Sequence, residues 1–210
     1  SVSQPCHWVV SNIETKTQLQ NKVLATQTSL SGRHILRASE YWQWLFKINC
    51  PEWRLVSESL IFTLIEDWFD KARVDQKYRD IEAFYNLCEQ FLPLLNSHQS
   101  HLLGDWLKLD PERQYRLSGW LQQVQDFWKF LNNKKWISQP WSLAVLLSQD
   151  QLFFSDPGDY YFDLGADLKH QEAELLVQLS KEREVHLFQP SPVWKDEYPH
   201  TLSVYNKVED

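Results

Sequence analysis

Tyr160-Tyr161-Phe162-Asp163-Leu164-Gly165 reads as a short buried β-strand, and Glu184-Val185-His186-Leu187-Phe188 reads as a second, closing on Gln189-Pro190-Ser191-Pro192. Between them Leu168, Leu175, Leu176 and Leu179 fall on one face of an amphipathic helix. Strand, helix and strand fit within about thirty residues, the size of one parallel βαβ crossover. The stretch therefore predicts that an otherwise helical chain folds against a parallel sheet.

Working outward, the turn Asp156-Pro157-Gly158-Asp159 introduces the first of these strands. At the other end of the chain, His7-Trp8-Val9-Val10-Ser11 reads as a strand, followed by a helix from Ile13 to about Gln27. After the turn Ser29-Leu30-Ser31-Gly32, Arg33 to Ala38 reads as a second strand, and Ser39 as the N-cap of a helix carrying Tyr41, Trp42, Trp44, Leu45 and Ile48. Pro51 stops that helix. The middle is helical. Leu60, Ile61, Leu64, Ile65, Trp68 and Phe69 form one stripe, and Ile81, Phe84, Tyr85, Cys88, Phe91, Leu92 and Leu95 form another. A short helix covers Leu102 to Leu107. Asp110-Pro111 opens a further helix, whose stripe is Leu117, Trp120, Leu121, Val124, Phe127, Trp128 and Leu131. Trp141 to Leu147 gives one more. The expected organisation is a split α/β domain of residues 1–56 and 151–190, an inserted helical subdomain of residues 57–150, and a connecting tail of residues 191–210. The rival architecture is an all-α bundle in which the terminal β-runs are incidental.

A chain of 210 residues is long enough to bury a sizeable core. Its five glycines favour long helices over an all-β barrel. Most of the eleven tryptophans sit at helical spacing among Leu, Ile and Phe, which reads as core packing. A base-stacking platform wants aromatics interleaved with Lys and Arg on strands, and that pattern is not evident. The net charge of −7 argues against a wide phosphate-gripping surface without being decisive, since an acidic protein can still carry a local basic groove. Cys6, Cys50 and Cys88 are far apart and form no CxxC, which points to a reducing cytoplasm. No apolar run is long enough to span a membrane, and no signal-peptide pattern is present. Met is absent and residue 1 is Ser, as in a processed or trimmed chain.

The strand-to-helix connection near the N-terminus is where a phosphate-binding loop would sit. Ser11-Asn12-Ile13-Glu14-Thr15-Lys16-Thr17 offers a Lys-Thr pair at Lys16 and Thr17 but no glycine, and Glu14 would repel phosphate. Lys16 and Thr17 then read as first-turn helix residues facing water. Asp163 occupies the place of a magnesium-holding strand-end carboxylate. Leu164 and Gly165 follow in place of a second acid, so Asp163 reads as a strand-end or helix-start hydrogen-bonding residue. Glu14-Thr15-Lys16 matches the short half of a nuclease motif but has no upstream Asp. His98 and His101 have a metal-ligand spacing, with Asp105 the only further candidate. No catalytic residue, metal ligand or cofactor site is expected.

With these residues in hand, the chain resembles the N-terminal region of the RecC/AddB/RexB group, the helicase-like subunits of RecBCD- and AddAB-type helicase–nuclease complexes. The resemblance is carried by Phe162-Asp163-Leu164-Gly165, Leu168, Glu174-Leu175-Leu176-Val177-Gln178-Leu179 and Val185-His186-Leu187-Phe188-Gln189-Pro190-Ser191-Pro192 with Trp194. Trp8-Val9-Val10 and Trp53-Arg54-Leu55-Val56-Ser57 also fit. It implies a degenerate RecA-like, P-loop NTPase-like α/β domain with a parallel sheet and an inserted helical subdomain. It also implies a non-catalytic scaffold in DNA double-strand-break repair and recombination, packed on a RecB- or AddA-type motor subunit and touching DNA through the assembled complex. Lys16, Thr17 and Asp163 are the degenerate nucleotide positions. Lys108, Arg113, Arg116, Lys129, Lys134 and Lys135 are the candidate phosphate contacts. The rival reading is a standalone helical protein-interaction module with Trp and Tyr anchors; an active nucleotide-binding enzyme is a third and weaker one.

Overall fold

The computed structural model describes residues 6–26, 34–76, 79–96, 111–164, 168–189 and 202–206. The chain divides into two compact units. The first combines Ser1–Leu45 with Leu152–Asp210, and the second is the continuous segment Phe46–Gln151.

The first unit is built on a five-stranded parallel sheet. Its strands are β1 (Cys6–Val10), β2 (Ile35–Arg37), β5 (Asp159–Asp163), β6 (Val185–Gln189) and β7 (Leu202–Asn206), in the order β2-β1-β5-β6-β7. The fold is therefore α/β with a parallel sheet, and the all-α rival falls. In register, Trp8 lies beside Tyr161 and Tyr161 beside His186. β7 lies in the region read as a connecting tail. Its alternation of Leu202 and Val204 with Ser203 is the short-period signal of a strand, masked in the sequence by the prolines upstream.

Helices α1 (Ile13–Thr26), α2 (Ala38–Asn49) and α7 (His170–Ser180) accompany the sheet. Strand side chains alternate between faces, so Tyr160 and Phe162 point together toward α2. The Tyr41 ring meets Phe162 edge-on at 5.5 Å and the Trp42 ring stacks on it at 6.1 Å. The Trp42 indole N–H donates to Glu172 Oε1 of α7 at 2.7 Å, while Glu172 Oε2 accepts from the Lys169 N–H and fixes the start of α7. Leu175, Leu176 and Leu179 are buried as their spacing predicts. On the opposite face, Trp8 stacks on Tyr161 at 4.8 Å and Tyr161 on His186 at 4.6 Å. The helix after β2 begins at Ala38, not after a Ser39 cap. Glu40 reaches back to accept the Arg37 N–H at 2.8 Å, the acidic half of a capping box.

The second unit contains α3 (Glu58–Lys71), α4 (Ile81–Asn96), α5 (Pro111–Lys134) and α6 (Ser142–Leu147), with a two-stranded parallel ribbon of β3 (Arg54–Val56) and β4 (Trp136–Ser138). Pairing of Arg54 with Trp136 and Val56 with Ser138 ties residues 54–56 to this unit, so it begins at Phe46, ahead of the expected residue 57. The apolar stripes of α3, α4 and α5 meet at an aromatic cluster. Trp68 stacks on Phe84 at 5.4 Å, and Phe127 lies 5.3 Å from Trp68 and 5.5 Å from Phe84. Ser57 caps α3 by accepting the Leu60 N–H at 3.3 Å.

Cys50 and Cys88 are fully buried, and Cys6 is exposed. Burial pushes the Cys50 thiol up to about 12, with nearby Glu52 adding to it, and burial alone pushes Cys88 up strongly.

Candidate functional site

Numbered along the chain, the five sheet strands read 2-1-3-4-5. The chain leaves β1 toward β2 on one side and later returns to add β5 on the other. This is one of the common doubly wound orders, and the boundary between β1 and β5 is its topological switch point. Ligands of doubly wound sheets bind in the crevice outside the carboxyl ends of the strands at that point. Here the crevice is bordered by Ser11 and Asn12 after β1, by Arg37 at the end of β2, and by Asp163 at the end of β5.

Several of the groups at this edge that could meet a phosphate are already engaged. The Ser11 N–H donates to the Asp163 carbonyl at 2.8 Å, continuing the β1–β5 ladder past Val10. The Asn12 side-chain oxygen accepts the Thr15 N–H at 2.8 Å, so the helix N-terminus that would bind an anion is capped from within. The Thr17 hydroxyl donates to the Ile13 carbonyl at 2.8 Å. The Lys16 ammonium meets Glu40 Oε2 at 2.8 Å, and the Arg37 guanidinium meets Glu40 Oε1 at 3.1 Å. Burial pulls the Glu40 pKa upward, but hydrogen bonds from Lys16 and the Arg37 N–H outweigh it and leave the carboxyl below its ordinary value. Lys16 is therefore not the water-facing residue read from the sequence. It is a part-buried member of a Lys–Glu–Arg cluster. Asp163 stands at the strand end, with its backbone used by Ser11.

A water-sized recess lies at the opposite, amino end of these strands, lined by His7, Tyr41, Trp44, Asp156 and Tyr160. The Tyr41 hydroxyl is buried with no hydrogen-bond partner among the described residues. Burial raises its pKa strongly, with Tyr160 and Asp156 adding to it. Tyr160 is pushed to about 12, first by burial and then by Asp156.

The candidate phosphate contacts are dispersed. Lys108 lies outside the described residues. Arg113 and Arg116 lie in the first turns of α5, roughly 30 Å along the helix axis from its far end. Lys129 is tied to Asp126 at 2.8 Å. Lys134 and Lys135 come together where α5 meets β4. Lys135 takes a left-handed conformation (φ 54°), its carbonyl accepts the Arg54 N–H at 2.7 Å, and its ammonium donates to Asn132 Oδ1 at 2.8 Å. That ammonium also sits 4.9 Å from the centre of the Trp53 ring, which stacks on Trp128 at 5.6 Å. The Lys134 ammonium lies 5.1 Å from the Phe130 ring and 5.4 Å from the Trp136 ring. Neither lysine has a carboxylate within ion-pair distance among the described residues. The aromatic members of this corner escaped the sequence reading, although Lys134-Lys135-Trp136 is a cation pair running straight into an aromatic strand.

Among the described residues no group of three His, Cys, Asp or Glu side chains is placed to hold a metal ion, and no helix is long and apolar enough to cross a membrane. His98, His101 and Asp105 lie outside the described residues. No protein-family model matches the chain, and neither the curated proteins nor the solved structures yield a match.

Proposed function

We propose that this chain is a helicase-like scaffold domain of a DNA double-strand-break repair and recombination protein, with no nucleotide chemistry of its own. It packs on a RecB- or AddA-type motor subunit that hydrolyses ATP, and it helps form the path of the DNA, in the cytoplasm. The RecA-like assignment and the identity of the partner rest on the resemblance to the RecC/AddB/RexB group, not on the strand order.

One observation carries the non-catalytic part of this reading: the turn after β1 satisfies its own helix N-terminus and its own lysine. Asn12 occupies the Thr15 N–H and Glu40 occupies Lys16. A phosphate would have to displace both, without glycines to let the backbone wrap around it. The five-stranded sheet leaves the helical-module alternative to the second unit alone.

Calorimetric titration of the chain with magnesium and ATP tests the reading, the expected result being no saturable heat. Saturable, magnesium-dependent binding overturns it. Co-expression with a RecB- or AddA-type motor subunit is expected to give a stable complex. Failure to form one under conditions where both chains are folded removes the scaffold role.

A further inference from the structure

We infer that the corner formed by the end of α5 and the starts of β3 and β4 binds single-stranded nucleic acid, with Lys134 and Lys135 on the phosphates and a base against Trp136. The inference deepens the DNA-path reading and rests on it.

Several cations among the described residues are held in ion pairs. Lys16 meets Glu40, Lys71 meets Asp67, Arg79 meets Asp70 and Lys129 meets Asp126. Lys134 and Lys135 instead lie against aromatic rings, 4.9 to 5.4 Å from the ring centres. A helix C-terminus favours a nearby cation through its macrodipole, which accounts for a lysine in the last turn. It does not account for two adjacent ammoniums held over aromatic rings. The left-handed backbone of Lys135 is a common helix ending, shared by Arg73 after α3, and it turns the chain so that the two ammoniums fall on neighbouring rings.

The rings decide what kind of anion fits. Trp128, Phe130 and Trp136 are all partly exposed and flank the two lysines. An acidic peptide would use the ammoniums and leave the π-faces idle. A duplex would offer phosphates but keep its base faces stacked inside. Single-stranded nucleic acid presents both phosphates and unstacked bases, and aromatic side chains beside cations are how such strands are held. Arg54, exposed at the start of β3, extends the positive rim. Asp126 is occupied by Lys129, and Glu52 makes no ion pair with either lysine.

The test is fluorescence anisotropy of a labelled oligothymidylate against the full chain, in low and physiological salt, with a matched duplex and a poly-glutamate peptide as competing probes. The chain is expected to prefer the single strand. Lys134→Ala combined with Lys135→Ala is expected to weaken binding about tenfold at low salt and to flatten the salt slope by about 1.4, two contacts at about 0.7 each. Trp136→Ala is expected to lose about tenfold or more, and Trp136→Phe to retain most of the affinity by preserving a stacking face. Both lysine side chains reach the surface, so the lysine variants remain informative if Trp136→Ala fails to fold. Absence of oligothymidylate binding, unchanged binding in the lysine variant, or equal affinity for poly-glutamate overturns the inference. The motor-subunit complex separates the two readings. If it forms while oligothymidylate binding is absent, the corner falls and the scaffold stands. If the corner binds and no complex forms, the scaffold falls.

Discussion

The carboxyl edge of the large sheet and the corner of the helical unit treat their charges in opposite ways. At the sheet edge Lys16, Arg37 and Glu40 close on one another, and Asn12 closes the helix behind them. At the corner Lys134 and Lys135 lean on aromatic rings and reach no carboxylate among the described residues. The first arrangement contributes to stability and leaves little for a ligand. The second adds little to stability and leaves two cations available. The position where a doubly wound sheet usually binds is thus the satisfied one, and the available chemistry lies in the helical unit.

Substitutions can break that contrast. The largest effects are expected in the cores that hold each region: Phe162→Ala under the sheet and Phe127→Ala in the helical unit each cost about 3–5 kcal/mol in urea denaturation. A cost well below that at either position would mean that the surrounding cluster is not a packed core. Asn12→Ala removes the cap of α1 and is expected to cost about 1 kcal/mol. Glu40→Gln leaves Lys16 and Arg37 without their shared carboxylate, and a part-buried cluster of this kind is expected to lose about 1 kcal/mol.

The Glu40 prediction has a pH signature. Its folded-state pKa lies below the ordinary value of 4.5, so its contribution is complete above the unfolded pKa. The contribution is lost as pH falls from there through the lower folded pKa. Wild type is expected to lose stability more steeply than Glu40→Gln across that acid window, and parallel curves would remove the cluster from the account.

The smallest stability effects are expected at the corner. Lys134→Ala should change stability by less than about 0.5 kcal/mol, as for an exposed surface charge. Lys135→Gly should be neutral or stabilising by up to about 1 kcal/mol, because glycine accepts the left-handed backbone, while oligothymidylate binding weakens. If these lysine variants destabilise the chain as much as Glu40→Gln does, the contrast between the two regions fails.

The parallel sheet was legible because Tyr160–Phe162 and Val185–Phe188, the latter interrupted only by His186, are short hydrophobic runs on either side of a leucine-striped helix. The α3 stripe was legible for the same local reason: its buried residues Ile61, Leu64, Ile65, Trp68 and Phe69 recur at helical spacing. The ribbon of β3 and β4 was not. Each strand has three residues, and each finds its partner some eighty residues away, so no local period announces it. Ser39 was a plausible cap by type, but β2 runs directly into α2 and Glu40 performs the backbone contact. Lys16 was placed correctly on the first turn of its helix. Its partner, Glu40, comes from a different helix and only the tertiary fold brings the two together. The corner was obscured by composition: among eleven tryptophans, the part-exposed pair at positions 128 and 136 did not stand out from those that are core, Trp53 included.

The three thiols differ so much in setting that the molecule can be labelled at one place without mutagenesis. Cys50 and Cys88 are sealed in the interior with their ionisation suppressed, whereas Cys6 opens β1 at the surface. A maleimide dye at neutral pH should therefore report from the amino end of the sheet, giving an optical handle on the first unit while ligands are offered to the second.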